Sequence, residues 1–288
     1  MARADWILAA LAGMVVPEAD LHLLGWGHAV PNDCTLETLA VLDRVTTTFV
    51  LPRPPDLGIP GDVIDLGSHY QPGRPRHDVY REIADRVLDA ATASAPVALL
   101  TYGSAPVGTM TVHRLLAHGP ARGLRVRVSP SVSSLEIMWG EVGIEPFNGV
   151  LIWDATAFLV NQAVPPPGVD LLLAGVTVFD VFEIQDQHKP LADVDLRPLR
   201  DHLLRFFGEE HPVAFVRVAS GGMPARHEIL PLRLLRNSPC DISTLYVPRD
   251  PAWSGPPGSG HTIENASRIT GLDVRPVLRR KAPAVEST

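Results

Sequence analysis

With 288 residues, 45% hydrophobic and 20% charged, the chain reads as a globular protein able to bury one large core or two ordinary ones. Its formal net charge of -7 supplies no broad positive field, which argues against a nucleic-acid partner. Cys34 and Cys240 form neither a disulfide framework nor a zinc pattern, so a reducing, cytoplasmic setting is expected. His113 and His118 are five apart and do not share a helix face, so no metal is expected.

Residues 6–16 are apolar but far short of a membrane span. Asp5 spoils a basic flank and no small-residue cleavage site precedes Pro17, so neither a membrane anchor nor export is expected. Residues 1–19 are read as a helical extension that packs on the body or on a second subunit. Residues 20–25 then read as a buried strand entering the turn Gly25-Trp26-Gly27. Thr35 caps a helix with Leu36, Leu39, Ala40 and Leu42 at helical spacing, and 47–51 is a β-rich run ended by prolines. A helix over 78–93 is expected to bury Tyr80, Ala84, Val87 and Leu88 on one face.

A second buried strand, 97–101, leads into the loop 102–108 and a helix ending at Gly119. Strand 124–128 runs into Ser129-Pro130-Ser131. Such repeated strand–loop–helix units predict a mostly parallel sheet with helices on both faces over 20–146. Beyond 143–149 the texture changes. Strands are expected at 150–153, 171–178, 213–218, 228–232 and 242–247, with a turn at 165–168 and a helix over 195–207. This predicts a second, mixed or antiparallel α/β domain over 147–248, followed by a Pro-, Gly- and Ser-rich linker and basic tail over 249–288.

Three loops, 25–33, 102–108 and 130–134, follow successive strands of the first domain. The carboxyl edge of an open parallel sheet is where ligands bind, because backbone N–H groups and helix N-termini converge there. Glycine lets the backbone approach a ligand closely, and Ser133 and Ser134 suit capping or ligand contact. Trp26 and His28 are placed to line the same cleft or to pack beside it. Arg122, Arg125 and Arg127 flank a strand and read first as a solvated edge.

The order of these loops resembles the tetrapyrrole methylases. Gly25-Trp26-Gly27 with Thr35-Leu36-Glu37 is similar to that family's first glycine loop and following helix. Tyr102-Gly103-Ser104-Ala105-Pro106-Val107 is similar to its central loop, Pro130-Ser131-Val132-Ser133-Ser134 to its Pro-Gly-Val-Ser-Ser turn, and Trp153-Asp154-Ala155-Thr156 to its interdomain segment. The resemblance covers about residues 20–247. It implies a two-domain α/β fold holding S-adenosylmethionine at Gly25, Gly27, Gly103, Ser104, Pro106, Val107, Ser133, Ser134, Asp154 and Thr156.

A narrower resemblance lies in Tyr70, Arg76 and Tyr80, followed after the next strand by Tyr102. Their spacing is similar to the active-site set of the borosin-type peptide backbone α-N-methyltransferases, as is the run His69-Tyr70-Gln71-Pro72-Gly73-Arg74-Pro75-Arg76. The late segment Ser243-Thr244-Leu245-Tyr246-Val247-Pro248 is similar as well. The likeness implies that Tyr70, Arg76 and Tyr80 line the acceptor site and that Tyr102 stands where acceptor meets cofactor. A backbone amide is a poor nucleophile, and a hydroxyl that weakens its N–H, with an arginine near the carbonyl oxygen, addresses both obstacles. By residue type alone, Tyr80 also reads as core, Arg76 as a partner of a surface acid and Tyr70 as a loop aromatic.

The implied function is methylation of a separate precursor peptide by a homodimer, since only about forty residues follow the last strand and they hold no apolar core segment. Methylation of a small molecule or tetrapyrrole is the alternative. Ser131 in place of glycine, the position of Pro106, and a first loop without the family's Pro-Gly-Asp-Pro order leave a non-catalytic peptide-binding protein as a third.

Overall fold

The computed structural model describes residues 13–52, 57–166, 168–185, 194–220, 222–239 and 244–250, together with Ala9 and Pro54. Most of the N-terminal extension, residues 251–288 of the linker and tail, Cys240 and Ser243 lie outside the described residues.

Two five-stranded sheets follow one another along the chain. The first is all parallel and is built from β1 (Leu21–Gly25), β2 (Thr47–Leu51), β3 (Asp62–Asp65), β4 (Val97–Thr101) and β5 (Val126–Val128), ordered β3-β2-β4-β1-β5. β1 and β4 are buried along their whole length, because helices cover the sheet on both faces. One layer is α2 (Arg76–Ser94) with α3 (Met110–His118), whose Val79, Ile83, Val87, Val112 and Leu115 pack with Leu21, Leu23, Phe49 and Leu99. On the other face α1 (Leu36–Leu42), capped by Thr35 Oγ1, presses Val41 and Leu42 onto Leu24, Val50, Ala98 and Leu100.

Strand order matters for the site. β1 lies between β4 and β5, so the three glycine- or serine-bearing loops leave neighbouring strands at the same edge. They are joined there: Gly27 and Gly103 exchange backbone hydrogen bonds at 3.2 and 2.9 Å.

The second sheet is mixed. β6 (Val150–Asp154) runs parallel to β7 (Asp170–Ala174), while β10 (Thr244–Val247), β8 (Pro212–Arg217) and β9 (Arg226–Pro231) continue antiparallel in the order β6-β7-β10-β8-β9. Its core packs Phe158 of α5 (Ala155–Val160) and Leu199 and Leu203 of α6 (Arg197–Leu203) against Leu171, Leu173, Phe215 and Leu245. Between the sheets, α4 (Ser134–Val142) opens on a capping box formed by Ser133 and Glu136.

Four local expectations need correcting. The buried stripe of α2 is Val79, Ile83, Ala84, Val87, Leu88 and Ala91, so Tyr80 lies beside the core face and is only half-buried. The strand expected over 171–178 ends at Ala174, because Gly175 adopts φ +76° and turns the chain into a short 3-10 helix. The helix expected over 195–207 spans only Arg197–Leu203. A strand not anticipated at all, β3, forms the sheet's outer edge.

Candidate active site

A cavity of about 420 Å³ opens at the carboxyl edge of the parallel sheet. Leu51 and Pro52 at the end of β2, and Thr101 and Tyr102 at the end of β4, form its floor. Gly67 and Tyr70 from the turn after β3, Tyr80 from the first turns of α2, and residues 107–111 leading into α3 form its walls. Three of the four residues in the Tyr/Arg set thus meet in one cavity. Tyr70 and Tyr80 stand with ring centroids 6.3 Å apart.

Arg76 completes the group through Tyr80, its Nη1 lying 3.5 Å from the Tyr80 hydroxyl one helical turn on. The second half of the chain holds it in place. Its main-chain N–H donates to Phe182 O at 2.9 Å and its Nε to Glu183 O at 3.1 Å. Gly73 and Ile184 close the same clamp, with Ile184 N–H donating to Arg74 O at 2.8 Å. Burial pushes the Tyr70 hydroxyl well above the ordinary tyrosine range; neighbouring Tyr80 adds to this and Arg76 opposes it. Tyr70 is therefore a protonated donor at neutral pH.

Tyr102 is anchored on its other side. Its hydroxyl lies 2.5 Å from His28 Nδ1 and 3.0 Å from Ser220 Oγ, and its ring packs edge-on against Trp26 and His28. His28 is buried, which pushes its pKa down against the opposing pull of Asp33. Ser220 belongs to the segment after β8, so Tyr102 too is held from both halves.

Of the residues expected at the cofactor, Val107 lines this cavity. Gly25, Gly27 and Gly103 are not among its lining residues, and an added methyl group would meet Gly103 O and Ser131 at Gly25, Asp33 at Gly27 and His28 at Gly103. A methyl group at Gly25 would stand 2.1 Å from Gly103 O and 2.4 Å from Ser131 Oγ. Ser104 O accepts from Val107 N–H, and Pro106 O lies 2.9 Å from His113 Nε2. Ser133 caps α4, Ser134 is its first residue, Asp154 caps α5 through Ala157 N–H, and Thr156 Oγ1 accepts from Asp180 N–H. None of these last four lines the cavity. Each arginine of the basic edge has an acidic partner: Arg122 binds Asp85 and Asp89, Arg125 binds Glu18 and Asp20, and Arg127 binds Glu37.

Sequence reasoning passed over Thr109 and Thr111. Thr109 precedes α3 without a side-chain cap, and Thr111 Oγ1 is buried without a partner. The first-turn N–H groups of α3 and this hydroxyl suit the carboxylate of an amino-acid-like ligand, with Leu51, Val107 and Met110 as its apolar surround. Among the described residues no cluster of His, Cys, Asp and Glu suits a metal ion, and no helix is long and apolar enough to cross a membrane.

No family model matches the chain. Among solved structures, uroporphyrin-III C-methyltransferase from Thermus thermophilus superposes with a TM-score of 0.54 at 20% identity, covering 80% of this chain and 91% of that one. A complex of the Thermus thermophilus enzyme with S-adenosylhomocysteine gives 0.52 at 16% identity, covering 79% and 96%. The chain has the two-domain tetrapyrrole-methylase fold. Within that fold its sequence is similar to the borosin methyltransferases. A methyltransferase/type I borosin cyclic peptide precursor from Serendipita vermifera subsp. bescii is 25% identical over 283 residues, 92% of this chain and 65% of that protein. The methyltransferase/omphalotin A precursor from Omphalotus olearius is 26% identical over 209 residues, 67% of this chain and 47% of that protein. The chain thus spans about half to two-thirds of these relatives' lengths.

Proposed function

We propose that the chain is an S-adenosylmethionine-dependent methyltransferase that methylates backbone amide nitrogens of a precursor peptide supplied as a separate chain, and that it works as a homodimer. The observation that carries this reading is the meeting of Tyr70, Tyr80 and Tyr102 in one cavity, with Arg76 on Tyr80, in a sequence similar to the borosin methyltransferases.

The cavity suits the cofactor's amino-acid end, which Thr109, Thr111 and the start of α3 would hold beside Val107. Ser131 Oγ, buried and unpartnered beside Gly25, offers a further contact from the third loop. When bound, the cofactor supplies a methyl group on a positively charged sulfur.

The chain's own residues supply the rest. Tyr70, a buried and protonated donor, gives its O–H to the amide carbonyl oxygen, where negative charge grows as the N–H proton is lost. The Arg76 guanidinium, fixed by Glu183 O, places positive charge beside the Tyr80 hydroxyl and the same oxygen. Tyr102 sits across the cavity floor and accepts a hydrogen bond from the amide N–H, whose proton leaves to solvent at the open side of the cavity as the nitrogen takes up the methyl group. Pinning both sides of one peptide unit between residues that the second half of the chain braces also supplies orientation, a large part of any bimolecular barrier.

The test is incubation with methyl-labelled S-adenosylmethionine and a synthetic peptide rich in valine and isoleucine. Tandem mass spectrometry should locate the label on backbone nitrogen; spectra of the chain itself report any transfer in cis. Label on side chains, or none in either chain although S-adenosylhomocysteine binds, overturns the peptide assignment.

A further inference from the structure

The contacts around Tyr102 form a closed ring whose protons can be counted. Ser220 Oγ lies 2.9 Å from His28 O, Tyr102 Oη lies 3.0 Å from Ser220 Oγ, and His28 Nδ1 lies 2.5 Å from Tyr102 Oη. A carbonyl cannot donate, so the single Ser220 proton goes to His28 O. The contact between Tyr102 and Ser220 then needs the tyrosine proton. That leaves the histidine contact to be filled from Nδ1.

Three protons serve three contacts, each once. Reversing any link leaves two heteroatoms face to face with no proton between them. Burial disfavours the charged His28 ring, and in the neutral ring the hydrogen-bond contacts place the one N–H on Nδ1. Nε2 is then a bare acceptor, buried and without a partner, against the Cα of Gly103, where a methyl group would come within 3.3 Å. Orphaned acceptors are better tolerated inside proteins than orphaned N–H groups, which favours the same tautomer. The charged group facing His28 is Asp33, whose carboxylate accepts from the main-chain N–H of His28 and Ala29 at 2.9 Å; Tyr102 and Ser220 face it from β4 and from the segment after β8.

We propose that His28 and Ser220 are positioning residues that hold Tyr102 as a hydrogen-bond acceptor toward the cavity, and that this ring closes only when the two halves of the chain meet. Its proton turned to Ser220 and one lone pair filled by His28, the Tyr102 hydroxyl has one lone pair left for a ligand's N–H. Tyr70, a donor, stands in the same cavity. One donor and one acceptor are what the carbonyl and N–H of a secondary amide require. A ligand such as a proline-type amide, without an N–H, leaves that lone pair unanswered. The proton assignment stands on the hydrogen-bond geometry together with the burial of His28; its meaning for transfer rests on the methyltransferase reading.

Two measurements test it. In the full-length chain labelled with 15N-histidine, multiple-bond NMR should show His28 with a protonated Nδ1 and an unprotonated Nε2, the signal being assigned by its loss in His28→Asn. An Nε2–H tautomer overturns the ring. With labelled S-adenosylmethionine and the valine- and isoleucine-rich peptide, His28→Leu and Ser220→Ala should each lower kcat roughly 10- to 100-fold, the scale of a misplaced group, at unchanged cofactor affinity. The double variant should be no slower than either single one, because both break one ring. His28→Asn, which keeps a side-chain N–H near the same place, should recover most of the rate. Independent, additive losses, or losses explained by the unfolded fraction, overturn the positioning role. If the wild type transfers no methyl group, the functional reading fails, and the tautomer still decides the ring. Should His28→Leu not fold, Ser220→Ala and the wild-type spectrum still decide it.

Discussion

Replacing Gly25 by alanine asks whether the first glycine loop is shaped by a ligand or by the protein itself. The added methyl would stand 2.1 Å from Gly103 O, whereas ordinary contact begins near 3.4 Å, so that carbonyl has to move by more than 1 Å. The same oxygen accepts from Gly27 N–H, and Ser131 Oγ blocks the neighbouring direction at 2.4 Å. Forced overpacking costs about 1–3 kcal/mol, and loss of one loop hydrogen bond adds about 0.5–1.5 kcal/mol. A destabilisation of about 2–4 kcal/mol follows, which lowers Tm by roughly 5–15 °C in a chain of this size. Urea and thermal melts without ligand measure it. Gly140→Ala is the control: this glycine lies within α4 with nothing within 4 Å of the added carbon, so alanine should stabilise by about 0.5–1 kcal/mol. A ligand-free Gly25→Ala protein as stable as wild type would refute the packing argument and return that glycine to the cofactor.

Tyr80→Phe and Arg76→Lys should slow methyl transfer by roughly 10²–10⁴-fold while thermal melts stay near wild type, since Tyr80 lies outside the core stripe of α2; rates unchanged at matched folded fraction would remove both from the mechanism. Stability should fall as pH drops below about 6.5, because burial lowers the folded-state pKa of both His22 and His28 and the unfolded chain then takes up more protons. Their contribution is complete above the unfolded value and is lost as pH falls through the folded one, so His22→Leu should flatten the curve, and a curve as steep as wild type's would contradict this. Light scattering at micromolar concentration should give twice the 31.2 kDa chain mass; a monomer would contradict the proposed dimer.

Strands β1, β2 and β4 were legible because each is a short apolar run between breakers, and β1 and β4 are buried throughout. β3 was not. Its four residues begin and end on exposed aspartates and carry little apolar signal. Past β7 the apolar run continues through Val176 and Val178, and only the left-handed turn at Gly175 ends the strand. Spacing alone leaves the phase of α2 open by one step, and so does not separate Tyr80 from the buried Val79 beside it.

The site divides along the same line. The Tyr/Arg set was readable through the resemblance of its spacing to the borosin-type methyltransferases; by residue type alone its members read as core, surface or loop residues. His28 drew notice only as a residue near the cleft, and its partner Ser220 lies 192 positions away, where no local pattern connects them. Thr111 carries no motif; its buried, unpartnered hydroxyl is visible only in three dimensions.

The most direct test is a crystal structure of the chain with S-adenosylhomocysteine. The account predicts one ligand per chain at the carboxyl edge of the parallel sheet, its carboxylate on Thr109, Thr111 and the start of α3, and its sulfur facing the space between Tyr70, Tyr80 and Tyr102. A ligand bound away from that space, or a cavity left empty at saturating ligand, would contradict it.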